Sequence, residues 1–153
     1  MKNNINILIE ELNKNNLHVW VALRKQLWPD HAKEAHQADG EDIISSNQLV
    51  SFIALDKDGN GLGFVDASVR YDYVNGCNSS PVAFLEGVFV SPNHRKCGIA
   101  KILVDEVQSW GIKKGCKELA SDTELDNVVS QKAHFGLGFQ VTEKVVFFKK
   151  SLN

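Results

Sequence analysis

Glu86 is an acid set in an otherwise apolar run, with Val82-Ala83-Phe84-Leu85 before it and Gly87-Val88 after it. A carboxylate inside such a strand is costly to bury unless it is paired or faces a ligand cavity. It reads as a group that meets a cationic ligand, or as half of a buried ion pair with Arg70 or Arg24. After Val88-Phe89-Val90 come Ser91-Pro92, a short basic turn through His94-Arg95-Lys96-Cys97, and Gly98-Ile99-Ala100 opening an amphipathic segment. That order is a strand, a tight loop and a helix N-terminus. The free N–H groups of a first helical turn bind anions, and small residues let a phosphate come close. Arg95, Lys96 and Lys101 add positive charge at the same point. A dinucleotide site would want G-x-G-x-x-G and a later acidic residue, and fits less well.

Other residues could take part. Tyr71 and Tyr73 follow a strand, and Trp28 ends a helix next to His31. Aromatic rings beside carboxylates suit a sugar carrying ammonium groups, by stacking and cation–π contact; core packing is the plainer reading. Asp122 stands at the C-terminal end of a short strand, where ligands collect in open sheets, or it is a turn residue. Glu143 lies in the last apolar segment, on what reads as a solvated face. Asn127 opens a helix and is suited to capping it. Cys97 is either a thiol activated by helix amides or a small residue that fits a tight turn.

The elements that must position these groups follow from periodicity and breakers. Strands are expected at Ile5–Leu12, Leu49–Leu55, Leu62–Tyr71, Val82–Val90 (fully buried) and Glu118–Ser121, with a last strand or hairpin arm at Phe139–Lys150. Helices are expected at Leu17–Trp28, stopped by Pro29, at Gly98–Lys114 and at Asp126–Leu137. His31–Asn47 is mostly helical in propensity, with Gly40 as a break, and Asp56–Gly61 is a hairpin turn. With 153 residues, 43% hydrophobic and 24% charged, the chain reads as one soluble domain of residues 1–153. The net charge of −2 argues against nucleic-acid binding. No apolar run is long enough to span a bilayer, and the polar start predicts no signal peptide. Cys77, Cys97 and Cys116 are odd in number and lack CxxC spacing, which predicts neither a disulfide nor a zinc site and fits a reducing cytoplasm.

Arg95-x-x-Gly98-x-Ala100, directly after Val88–Pro92, resembles the acetyl-coenzyme A loop of the GNAT superfamily of N-acetyltransferases. The resemblance implies a GNAT acetyltransferase fold, α/β in the broad sense (α+β), with a central mixed, mostly antiparallel sheet flanked by helices. It implies that Arg95, Lys96, Cys97, Gly98, Ile99, Ala100 and Lys101 hold the pyrophosphate of acetyl-coenzyme A. Val88, Phe89 and Val90 would offer backbone hydrogen bonds to the pantetheine arm, with the Val88 amide as oxyanion donor. Asn127 would bind the pantetheine amide. Ala133-His134-Phe135-Gly136-Leu137-Gly138-Phe139 is similar to the family's second signature, but His134 stands where the family has a tyrosine acting as acid to the thiolate. A histidine can donate to the sulfur. Alternatively the thiolate leaves unassisted, since a thiol pKa of about 8.5 makes it a fair leaving group.

Arg70–Gly76, Ser80–Gly87, Ala120–Asn127, Thr142–Phe148 and Leu23-Arg24-x-x-Leu27-Trp28 together look like aminoglycoside 6′-N-acetyltransferases of the short, single-domain type. This narrower resemblance implies that Trp28, His31, Tyr73, Glu86, Asp122 and Glu143 face an aminoglycoside, with Glu86 taking the amine proton directly or through water. It implies no metal, and a homodimer, for which the apolar Val145–Phe148 run in an edge strand is the sequence's own support. A polyamine or protein amine as acceptor is the nearest rival, and a non-catalytic acyl-coenzyme A sensor is the rival of another class.

Overall fold

The computed structural model describes residues 6–153, so Ile5 of the expected first strand lies outside it. Five strands form one sheet in chain order: β1 (Leu8–Glu11), β2 (Leu49–Leu55), β3 (Gly61–Arg70), β4 (Val82–Val90) and β5 (Leu119–Ser121). The first four run antiparallel, and β5 joins β4 in parallel. Four helices flank the sheet: α1 (Leu17–Leu27), α2 (Lys33–Ser45), α3 (Ile99–Lys113) and α4 (Val128–Gly136). The hairpin between β2 and β3 closes on Asp56, whose Oδ1 accepts the N–H groups of Asp58 and Asn60, both at 2.9 Å.

Strand alternation divides the core into two layers. Ile53, Leu55, Phe64 and Phe89 pack with Leu17, Trp20, Val21 and Leu23 of α1. Val50, Phe52, Ala54, Val65, Ala67 and Leu85 pack with Ile99, Leu103, Val104 and Val107 of α3. Burial of a side chain such as Leu103 contributes about 2 kcal/mol.

Three expectations need correction. Gly40 does not break its helix: α2 runs straight through it. A Cβ there would collide with Leu17 and Trp20, so this glycine lets α2 lie against α1. Second, β4 is not fully buried: Val82–Leu85 are, but Glu86 is exposed and Gly87 and Val88 are half-buried. Third, residues 139–150 form no strand. Strands are made by pairing, and no strand among the described residues pairs with this arm, whatever its local apolar pattern. Phe139 packs on the α3-side core, yet Phe147 and Phe148 are 86% and 92% exposed.

Candidate active site

The site is built on an irregularity in β4. Asp66 of β3 lies opposite Gly87, while the next residue, Ala67, lies opposite Leu85. Glu86 is therefore an extra residue in β4, a β-bulge, which bends a strand and re-aims its side chains. Its effect on the backbone follows from alternation. The Ala83 N–H reaches the Glu118 carbonyl on the β5 side, at 3.1 Å. Regular pleating would point Gly87 and Phe89 to that same side. Instead, the Ser91 N–H reaches Leu62 of β3 at 2.8 Å, so Phe89 faces β3 and Val88 and Val90 face outward. β5 pairs only with Ala83, Phe84 and Leu85. Below that point the outer edge of β4 has no strand beside it among the described residues, and the Val88 N–H is open to a ligand.

The open edge runs into the basic turn. Pro92–His94 form one 3-10 turn, Lys96 and Gly98 take left-handed φ values of 62° and 79°, and α3 begins at Ile99. Left-handed residues on either side of Cys97 turn backbone N–H groups into a concave anion-binding arrangement. The N–H groups of the first turn of α3 have no intrahelical partner. A side chain at Gly98 would meet nothing within 4 Å, so a ligand can approach the backbone there. Arg95 folds back, its Nε donating to the Val90 carbonyl at 3.0 Å, and this ties the loop to the strand.

Glu86 sits at the upper end of this edge. Its Oε1 accepts from Ser68 Oγ at 2.6 Å and from Arg70 Nη2 at 2.9 Å, both on β3. Of the two arginines considered as partners, Arg70 is the one it pairs with, and the pair is half-exposed rather than buried. Oε2 has no partner among the described residues. Trp28 lies directly against this bulge: a Cβ on Gly87 would stand 2.8 Å from its Cη2. The absence of a side chain at residue 87 is what lets the indole approach.

Behind Trp28 lies a polar network. Asp66 is buried, and it accepts from Ser51 Oγ at 2.7 Å, Trp20 Nε1 at 3.0 Å and Arg24 Nε at 3.0 Å. Burial pushes its carboxyl above the ordinary range despite these donors. Arg24 also donates to Asp39 Oδ2 at 2.8 Å, and its guanidinium carbon lies 4.6 Å and 4.8 Å from the ring centres of Trp20 and Trp28. Partial burial raises the Asp39 carboxyl, but bonds from Arg24 and His31 outweigh it and hold the group below its usual range. Arg24, Leu27, Trp28, Pro29, Asp30, His31 and Asp39 line a cleft of about 620 Å³. Ligand atoms of His31, His36 and Asp39 lie within 4.8 Å of one another. The Arg24 guanidinium stands among them, 3.4 Å from His36 Nδ1, and its positive charge opposes a metal ion there.

The remaining site residues are dispersed. His31 joins Trp28 in the cleft and bonds Asp39 at 3.0 Å. Tyr73 is 75% exposed on the loop after β3. Asp122 is exposed immediately after β5. Glu143 is exposed on the C-terminal arm, next to Thr142, which packs on Gly76 of the loop that carries Tyr73. Asn127 caps α4, its Oδ1 accepting the Ser130 N–H at 3.1 Å, and its amide N–H groups remain available. His134 Nδ1 lies 2.7 Å from the Ser130 carbonyl and must donate to it. In the neutral ring Nε2 is then an acceptor, 2.7 Å from Ser121 Oγ, so His134 ties α4 to β5. Sequence reasoning missed Asp66, Ser68 and His36. Asp66 carries the same signal that singled out Glu86: an acid inside an apolar strand, Leu62–Val69.

Together these features offer a backbone cradle for a phosphorylated ligand, an open strand edge leading from it, and a carboxylate with an aromatic wall at its end. The family model for the acetyltransferase (GNAT) family matches residues 17–139. The chain is 56% identical over 142 residues to an aminoglycoside N(6')-acetyltransferase type 1 of Salmonella enteritidis, covering 93% of this chain and 97% of that protein. It is 47% identical over 138 residues to a protein of the same description from Serratia marcescens, covering 90% and 94%. Among solved structures, aminoglycoside N-acetyltransferase AAC(6')-Iy in complex with CoA matches with a TM-score of 0.93 at 53% identity, covering 99% of each chain. The complex of AAC(6')-Iy with the bisubstrate analog CoA-S-monomethyl-acetylneamine matches with a TM-score of 0.92 at 54% identity, covering 96% of this chain and 99% of that one.

Proposed function

We propose that this chain, which belongs to the acetyltransferase (GNAT) family, moves the acetyl group of acetyl-coenzyme A to the 6′-amine of aminoglycosides. The observation that carries the reading is the bulge at Glu86, which opens the edge of β4 between a basic, glycine-containing turn and the bulge against which Trp28 packs. The pyrophosphate is held by backbone N–H groups of Arg95–Lys101, including the first turn of α3. The pantetheine arm lies along Val88–Val90, with Asn127 donating to one of its amides. Both substrates are bound together. The amine attacks the thioester carbon, and the Val88 N–H stabilises the oxyanion. Oε2 of Glu86, or a water it holds, takes the amine proton. The C–S bond then breaks, and the thiolate leaves. An imidazolium at His134 would donate from Nε2 to the sulfur; an unchanged rate in His134→Ala would show that the thiolate leaves unassisted.

The acceptor is held by charge and stacking. Glu86, Asp122 and Glu143 attract ammonium groups, and Trp28, His31 and Tyr73 supply flat surfaces. A polyamine would use the carboxylates but not the rings. Residues 1–153 act as one domain in the cytoplasm, where Cys77, Cys97 and Cys116 stay as the free thiols they are here. No helix among the described residues is long and apolar enough to cross a membrane. The chain works as a homodimer: among the described residues, Val145–Phe148 are exposed on an arm with no strand partner, and the outer edge of β5 is unpaired. Light scattering of the full chain reads this directly, and Phe147→Asp should yield monomer. The function itself is tested by free-thiol release from acetyl-coenzyme A with kanamycin or spermidine as acceptor. Release with kanamycin alone supports the proposal; release with spermidine alone, or with neither, overturns it.

A further inference from the structure

We infer that His36 and Arg24 are positioning residues that fix the pose of Trp28 at the acceptor site, an inference that rests on Trp28 forming the wall of that site. Trp28 is the C-cap residue of α1, immediately after the last helical residue, Leu27. Its N–H bonds the Arg24 carbonyl at 2.9 Å and its carbonyl accepts the His31 N–H at 3.2 Å, but Pro29 follows and α1 does not continue past it. The residue is over a third exposed, at 37%. A further contact comes from α2. The Trp28 carbonyl lies 3.2 Å from His36 Nε2. An arginine can only donate, so His36 Nδ1, 3.4 Å from Arg24 Nη1, is the acceptor and Nε2 carries the proton. One neutral tautomer satisfies both contacts; burial lowers the pKa of the ring, the bond to the Trp28 carbonyl raises it by less, and the Arg24 charge lowers it further.

His36 is fully buried, yet its polar atoms serve only Arg24 and Trp28. A leucine would fill the same space without burying polar atoms. The network is anchored at the opposite end by Asp66 and at the side by Asp39. The guanidinium plane is thereby fixed, and the Trp28 indole rests between it and the backbone of Gly87. A shift of either support moves the ring against the bulge at Glu86–Gly87.

The test compares His36→Leu, which loses both polar contacts, with His36→Gln, whose amide oxygen can accept from Arg24 while its N–H donates to Trp28. His36→Leu should raise the KM for kanamycin about tenfold and leave that for acetyl-coenzyme A within about twofold; His36→Gln should restore both to within about threefold. Acrylamide quenching of Trp28 emission, taken as the difference from the matching Trp28→Phe protein, should rise in His36→Leu and return in His36→Gln. An unchanged kanamycin KM with unchanged quenching in His36→Leu overturns the inference, as does a His36→Gln protein as impaired as the leucine variant. If His36→Leu does not fold, Arg24→Lys takes its place: it keeps charge beside Asp66 but cannot bridge Asp66 and Asp39 from one plane. The same KM split and quenching are then expected, and wild-type behaviour overturns the inference. A wild-type protein inert toward kanamycin would overturn the proposed function instead, and the quenching comparison would still decide the role of His36.

Discussion

Replacing Gly87 by alanine should damage the acceptor site while leaving the coenzyme site intact. The new Cβ would stand 2.8 Å from Trp28 Cη2 and 3.3 Å from Cζ2. The closer contact is about 0.7 Å short of a relaxed carbon–carbon distance. The strand cannot yield easily, because Gly87 is in register with Asp66 of the central β3. Trp28 can, because it lies at the surface with over a third of the residue exposed. The overlap is therefore relieved by outward movement of Trp28, at the low end of the usual overpacking cost, about 1 kcal/mol. The lost flexibility of the unfolded chain returns about 0.5 kcal/mol of that. Folding stability should fall by less than about 1 kcal/mol, a drop in Tm of about 2 °C. The functional effect should be larger: a ring displaced by most of an ångström should raise the kanamycin KM about tenfold. Steady-state thiol release, with each substrate varied in turn, measures both constants. An unchanged kanamycin KM in a folded variant would refute Trp28 as the acceptor wall. Equal increases in both constants would show that the strand moved, not the ring.

Other outcomes follow from the same geometry. Glu86→Gln keeps Oε1 as acceptor for Ser68 and Arg70, so it should fold normally and bind acetyl-coenzyme A normally, while kcat falls about a hundredfold. Near-normal turnover would remove Glu86 from the mechanism. Gly98→Ala meets no atoms but must hold φ near 79°, a strain of about 1–2 kcal/mol, so the turn should relax and the KM for acetyl-coenzyme A should rise without change in that for kanamycin. Burial lowers the pKa of His36 below the 6.5 of an exposed histidine. Unfolding then takes up a proton that the folded state refuses, so stability is fully present above that value and falls as pH drops through it. Thermal melting at pH values about 7.5 and 5.5 should show this loss in wild type and a smaller one in His36→Gln.

The turn after β4 was readable in the chain because it is local backbone chemistry: Pro92, the basic turn, Gly98 and Ala100 set a loop and a helix start within a few residues. Glu86 was readable as an anomaly, an acid in an apolar strand. That it creates a bulge was not, because a bulge is a relation between two strands, and it is the mismatch with Asp66 and Ala67 that turns the Val88 N–H outward. Gly40 misled for a similar reason. Its propensity argues for a break, and its contact with Leu17 and Trp20, far away in sequence, requires a glycine inside the helix. The Asp66–Arg24–His36 network spans three elements and has no sequence spacing of its own. The arm at 139–150 shows the converse limit: Val145–Phe148 carry strand propensity, but without an adjacent strand the propensity produces no pairing.

The central claim is transfer to one particular nitrogen. Incubating the protein with kanamycin and acetyl-coenzyme A labelled with carbon-13 at the carbonyl, and reading the product by two-dimensional NMR, tests it most directly. The account predicts a single labelled acetamide correlated to the 6′-methylene protons. A label on any other amine, or free labelled acetate with kanamycin unchanged, would contradict it.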